Sequence, residues 1–201
     1  MVLNTLKLLA DRIVCEAIEI HAADSSKTLA EHAILFARLS NDMTIGGLGL
    51  FADSACKRGC WYCCTIPVEV RQAEADLIAK KLKGMPKDIY NETVSRSMEN
   101  AKHEGDDVDG YIKQKLPCAF LNKKAMCCRI YDDRPLNCRN YDSRNRDMCK
   151  LAVGNPDQGV ERSGQIIQHN FAVSLALEDA LERLGADPIQ TPLHKTVLSR
   201  L

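Results

Sequence analysis

Between Thr5 and Ile20 the apolar residues Leu6, Leu9, Ile13, Ala17 and Ile20 recur at helical spacing and predict an amphipathic helix. Ser25 and Ser26 can cap a second helix, whose buried face is marked by Leu29, Ala33, Phe36 and Ala37 as far as about Leu39. Gly46-Gly47-Leu48-Gly49 then breaks the pattern and reads as a flexible approach to the loop that begins at Cys56. The run Thr65 to Val70 suits a short extended segment, kept at an edge by Pro67. A helix from about Arg71 to Lys83 carries Ala75, Leu77, Ile78 and Leu82, and Gly84 stops it. Pro86 opens another helix, to about Lys102. Glu104 to Gly110 is acidic and turn-rich and predicts a solvated loop. Leu116 to Tyr141 has no long period, so short strands and turns are expected there. From Ser163 to Leu184 a strong helix carries Ile166, Phe171, Val173, Leu175, Leu177, Leu181 and Leu184, and ends at Gly185. The segment from Pro188 predicts a loosely packed or short helical tail. The expected fold is mainly α, with roughly five helices around a small irregular cysteine-rich centre and at most a short β-hairpin.

At 201 residues the chain has the length of one domain, 1–201, with a cysteine core at about 56–149 and flanking helices at about 5–39 and 163–184. Lys plus Arg and Asp plus Glu both total 27, so no global field draws the chain to nucleic acid or to anionic lipid. Aromatic residues are sparse, which weakens any base-stacking role. Met1 to Ala22 is interrupted by Asp11, Arg12, Glu16 and Glu19 and does not read as a secretory signal. No run approaches the roughly 20 apolar residues that span a bilayer. These features predict a cytoplasmic protein with no membrane and no nucleic-acid partner; a protein partner is not specified.

That placement changes how the ten cysteines are counted. In a reducing compartment, clustered thiols point to metal or redox chemistry rather than to disulfides. Cys56, Cys60, Cys63 and Cys64 fall within nine residues, and Cys118, Cys127, Cys128, Cys138 and Cys149 form a second group. Thiolates are soft donors for zinc or iron, and a closed zinc site takes four ligands. The pair Cys60-x2-Cys63 has the spacing that wraps one ion in a single turn. Cys64 is free to bridge, to serve a second ion or to sit in the core. Four thiolates around a divalent ion leave excess negative charge, which Lys57, Arg58, Arg129, Arg134 and Arg139 are placed in sequence to offset. Cys15, inside the first helix, reads as a small buried apolar residue. The histidines His21, His32, His103, His169 and His194 form no ligand motif, so helix-face contacts or solvent exposure are expected rather than ligation, with His169, on an apolar helix, the one to watch.

Three blocks together carry a family resemblance: Cys60-x2-Cys63-Cys64, Pro117-Cys118-Ala119-Phe120-Leu121, and Cys128-Arg129-Ile130-Tyr131-Asp132-Asp133-Arg134-Pro135-Leu136-Asn137-Cys138-Arg139-Asn140-Tyr141. The last fixes seven positions in a C-x-I-Y-x2-R-P-x2-C-R pattern. The chain resembles the YkgJ-type, or CxxCxxCC, family of zinc- or iron-chelating proteins over roughly Cys56 to Cys149. The resemblance implies eight metal-ligating cysteines: Cys56, Cys60, Cys63, Cys64, Cys118, Cys128, Cys138 and Cys149. Cys15 and Cys127 fall outside that set. Two departures are visible: Cys56 stands one residue further from Cys60 than the usual gap, and Cys127 is an addition. Zinc is the first expectation and iron or an iron–sulfur cluster the alternative; the number of ions, and whether they are structural or catalytic, stay open. Relatives with such clusters include flagellin lysine N-methylases, so an iron–sulfur or metal-dependent modifying enzyme, methylase-like or redox, is the competing class. Cys56-x3-Cys60-x2-Cys63 also satisfies the radical S-adenosylmethionine spacing, but the strand–helix alternation of that barrel is missing. A thioredoxin-like setting around Cys60 and Cys63 is missing as well.

Overall fold

A computed structural model describes residues 2–105 and 107–201, with side chains from residue 4 onward. Nine α-helices lie among the described residues, five of them of twelve residues or more, with two small antiparallel strand pairs. The mainly helical class predicted from the periodicity is the one observed.

Three long helices form a bundle: α1 (Val2–Ala23), α2 (Leu29–Gly47) and α8 (Gly164–Arg183). Ala10, Ile13 and Ala17 of α1 meet Ala33, Ile34 and Ala37 of α2 and Val173, Ala176, Leu177 and Ala180 of α8. So many alanines let the helix axes approach closely while still burying apolar surface. Cys15 lies two residues from Ile13 and from Ala17, on the opposite face of α1, and is exposed. The expectation that it is buried fails because a helix places positions 13 and 17 on one side and 15 on the other. Phe171 is likewise 65 % exposed, off the Ile166–Val173–Leu177 stripe.

The cap of α2 is Thr28, not Ser25 or Ser26: its hydroxyl accepts from Glu31 N, and Glu31 Oε2 accepts from Thr28 N in a capping box. The helix also runs through Gly46 and Gly47, so the flexible approach predicted there is helix end followed by turn. Asn41, Ile45 and Arg38 give those last turns buried contacts.

The remaining long helices, α3 (Gln72–Lys83) and α4 (Lys87–His103), match the sequence boundaries within about a residue and pack on α9 (Leu193–Leu198). Their core joins Val70, Ile78 and Leu82 to Phe120, Ile130, Leu193 and Val197, with Cys118 and Cys128 packed against its edge. Strand β1 (Glu69–Arg71) pairs antiparallel with β4 (Gln190–Pro192), Val70 opposite Thr191. This pairing joins segments some 120 residues apart, and it orders the tail for which loose packing is the sequence-based expectation. Strands β2 (Leu121–Asn122) and β3 (Cys127–Cys128) make the short hairpin expected in the cysteine-rich stretch. The short helices α5 (Val108–Lys113), α6 (Leu136–Arg139) and α7 (Arg146–Leu151) complete the chain. Asp106 of the acidic loop lies outside the described residues. Glu104, at the start of that loop, is not solvated: it is 4 % exposed and bound to α9.

Candidate metal centre

The first cysteine segment is shaped by one glycine. Cys60 N donates to Lys57 O at 2.9 Å across a turn whose third residue, Gly59, has φ +91°. A side chain there would be strained, so Gly59 is what lets Cys56 and Cys60 approach one another. Beyond the turn, a 3-10 segment at Tyr62–Thr65 carries Cys63 and Cys64. Cys64 N donates to Trp61 O at 2.8 Å and closes it.

Two backbone contacts tie this segment to the second group. Ala55 N donates to Ser143 O at 2.8 Å, next to Cys56, and Cys118 N donates to Cys64 O at 2.6 Å. Arg96 of α4 supports the Cys118 side, donating to the carbonyls of Cys118 and Leu121, each at 2.7 Å. Cys128 sits on β3 opposite Leu121, three residues from Cys118. Cys138 is on α6, and Cys149 is buried on α7, which packs on the 3-10 segment. The block Asn140–Tyr141 is anchored to the bundle: Asn41 Nδ2 donates to Asn140 Oδ1 at 2.8 Å, and Asn170 Nδ2 to Asn140 O at 2.7 Å.

The thiols fall into two neighbourhoods that share Cys63. Cys138 feels Cys118, Cys63 and Cys128, and Cys64 feels Cys118, Cys63 and Cys138. Cys56 feels Cys63 and Cys60, while Cys60 feels Cys63 and Cys149. Cys63 and Cys149 also line one small cavity with Tyr62 and Tyr141. Burial, and then the neighbouring sulfurs, push the Cys138 thiol well above its usual pKa and Cys128 up to about 12. Burial likewise raises Cys56 and Cys60. The adjacent Cys63 and Cys64 share a hydrogen bond that lowers the first and raises the second. Thiols so crowded resist losing protons one by one; a cation among them removes that resistance, because coordinated sulfur is thiolate.

Of the five predicted compensating cations, Arg134 is the one that lowers the pKa of Cys63, Cys128 and Cys138. Its guanidinium is held over the Tyr131 ring at 4.0 Å. Arg58 stacks on the same ring at 5.2 Å. Arg129 instead binds Glu92 and Thr93, and Arg139 binds Asp42 at 2.5 Å and the carbonyl of Asp132. Arg146 is a further cation, absent from the five that sequence proximity suggests; it lowers Cys60 and stacks on Tyr62.

The family model of the CxxCxxCC domain, described as a "Putative zinc- or iron-chelating domain", matches residues 55–156, more than half of the chain. The chain belongs to the CxxCxxCC family. No curated protein and no solved structure matches it. The donor set fits such a metal by its chemistry, since soft thiols from several segments are near enough to raise one another's pKa while Arg134 lowers three of them. Among the described residues no three His, Cys, Asp or Glu side chains stand already gathered as a chelating group.

His169, the histidine singled out on the apolar helix, lies apart from the cysteine segments in the chain. It is partly buried on α8, its Nε2 without a hydrogen-bond partner, and burial holds its pKa below the ordinary value. The histidine near the thiols is His194, on α9. Burial pushes its pKa down, while Cys118 and Glu104 push it up, for a net rise. Ala119 N donates to Nε2 at 3.3 Å, an arrangement that leaves the ring proton on Nδ1, facing Glu104. No local motif announces His194, because its partners lie 75 and 90 residues away.

Proposed function

We propose that the chain is a cytoplasmic metal-binding protein that holds zinc, or failing that iron, through Cys56, Cys60, Cys63, Cys64, Cys118, Cys128, Cys138 and Cys149. The observation that carries this reading is the crowding of Cys63, Cys118 and Cys128 on Cys138, four thiols delivered by four separate segments. Core packing alone gives no reason for sulfurs to seek one another. On this reading Cys56, Cys60, Cys63 and Cys149 hold one ion and Cys64, Cys118, Cys128 and Cys138 a second, with Cys63 close to both groups. Two ions would then share the short segment that carries the adjacent, hydrogen-bonded Cys63 and Cys64. Bound zinc supplies cross-linking of these segments without redox chemistry. Arg134 offsets charge on both sides, through Cys63 and through Cys128 and Cys138, and Arg146 adds to the first through Cys60.

Metal analysis of the purified chain, with an anaerobic absorption spectrum, tests the reading. A colourless protein with stoichiometric zinc on the cysteines supports it. Broad visible absorbance with iron and sulfide present replaces it with an iron–sulfur protein, the setting in which a modifying activity belongs. Absence of any tightly bound metal under reducing conditions overturns it.

A further inference from the structure

Cys118 lies in an irregular stretch between α5 and β2, where no helix or strand fixes the direction of its side chain. Its backbone is clamped by distant segments: Cys64 O takes its N–H, Arg96 holds its carbonyl, and His194 takes the N–H of the next residue. The third clamp is itself built. Glu104 Oε1 accepts from His194 Nδ1 at 2.6 Å and from His194 N at 3.1 Å, and Oε2 accepts from Lys195 N at 3.0 Å. The Lys195 ammonium also donates to Glu104 O. One buried carboxylate thus closes the first turn of α9 and fixes the ring that α9 carries. The ring lies nearly parallel to Phe120 at 6.3 Å, and His194 is 2 % exposed. The Cys118 thiol faces the same imidazole. Both Glu104 and His194 are joined to the cysteine segment only by folding, and His194 lies beyond the residues that the family model matches.

We propose that His194, oriented by Glu104, is a positioning residue for Cys118, so that docking of α9 and closure of the thiol cluster around Cys118 support one another. This rests on the reading of Cys118 as a metal ligand. The physical case is the buried N–H of Ala119: without Nε2 it loses its acceptor, the loop must move to find another, and the neighbouring sulfur moves with it. A ring that served only to anchor α9 would need only its Glu104 side.

The two sides of the ring can be separated. His194→Asn keeps a donor near Nδ1 for Glu104 and deletes Nε2, whereas His194→Gln keeps an acceptor near Nε2 for Ala119 and deletes Nδ1. Two measurements on the full chain read the result: the rate of zinc release to a chromophoric chelator, and peptide-mapped alkylation of each cysteine by iodoacetamide in the metal-free protein. The proposal expects His194→Gln to stay near the unsubstituted protein, while His194→Asn and His194→Ala release zinc about 10–100-fold faster, the range for lost support around a ligand. Cys118 alkylation rises in the same two variants, with Cys60 unchanged as the internal control. Equal effects of Asn and Gln, or release rates that simply follow the melting temperatures, overturn it in favour of an anchor. If the unsubstituted chain retains no metal, the metal reading fails, and alkylation still decides: Cys118 reactivity that is the same in all variants overturns the positioning role.

Discussion

The backbone N–H of Cys118 donates to the carbonyl of Cys64 at 2.6 Å, joining two cysteine groups that are 54 residues apart. On one side of that bond stands the turn built on Gly59; on the other stand α4, through Arg96, and the β2–β3 hairpin. The contact is a seam between the two cysteine groups, which the proposed ligands would reinforce.

An ion bridging that seam contributes folding free energy directly, on the order of 10 kcal/mol for tight zinc sites. A strong chelator is therefore expected to lower the melting temperature markedly under reducing conditions. Differential scanning calorimetry before and after demonstrated metal removal checks it. An unchanged melt would mean that backbone contacts such as Cys118–Cys64 hold the seam without help.

Substitution of single cysteines separates ligands from bystanders. Cys60→Ser and Cys63→Ser are expected to empty one site and Cys118→Ser and Cys138→Ser the other, because a neutral hydroxyl substitutes poorly for thiolate. Cys127→Ser spares the metal, since the pKa of Cys138 responds to Cys128, not to Cys127, among its main neighbours. Cys15 is exposed, so Cys15→Ser is expected to change stability by no more than about 0.5 kcal/mol. Metal per folded chain, measured across these variants, is the readout. Loss in Cys127→Ser with retention in Cys128→Ser would shift the ligand register by one residue.

The long helices are legible in the sequence because each buries one stripe: Ile166, Val173, Leu177 and Leu181 announce α8, with Ser163 as cap and Gly185 as stop. The cysteine blocks are legible as chemistry, because clustered thiols at C-x2-C spacing match the family model of a zinc- or iron-chelating domain. What the sequence hides is what folding alone brings together. Glu104 reads as part of an acidic loop because its partners, His194 and Lys195, are some 90 residues away. Arg129 and Arg139 sit beside cysteines in the chain yet turn to Glu92 and Asp42, while Arg146 reaches Cys60 from α7. Cys15 escapes the expectation of burial because helix phase, rather than residue type, decides which way it faces.

Glu31 gives stability a defined acid limb. Its carboxylate accepts from Thr28 N at 2.8 Å and from Lys80 Nζ at 2.7 and 2.8 Å, joining the cap of α2 to α3. Burial pushes its pKa up, but Lys80 and Thr28 outweigh this and hold it below 4.5. A depressed carboxylate stabilises the fold fully above its unfolded pKa and loses that contribution as pH falls through the folded one. Glu31→Gln is expected to cost on the order of 1 kcal/mol at pH 7, with a half-exposed lysine limiting the sum. The difference should shrink as pH falls below 4.5 and vanish once the native carboxylate is protonated. Urea unfolding of both proteins between pH 3 and pH 7 measures it; a gap independent of pH would assign the cost to the cap's shape rather than to its charge.

Glu74 holds the helix that carries Cys138. It is 1 % exposed on α3, and its Oε1 accepts from Leu136 N at 2.7 Å, the first residue of α6. The same oxygen meets Arg38 Nη2 of α2 at 3.3 Å, and Oε2 accepts from Arg71 N at 3.1 Å. One carboxylate therefore fixes α6 against both layers and neutralises a buried guanidinium whose Nε has no partner. Glu74→Ala strands that charge and leaves two buried N–H groups without acceptors, for an expected cost of about 3–5 kcal/mol. Glu74→Gln keeps an acceptor for Leu136 but not the charge for Arg38, and should fall between. If α6 is what aims Cys138, zinc release should quicken in Glu74→Gln at temperatures where that variant is still fully folded. Hydrogen exchange at Leu136 and Arg38→Met in the Gln background separate the two causes. Restored stability with persistently fast release would assign the sulfur's placement to the Leu136 contact, and restored release would assign it to the buried charge.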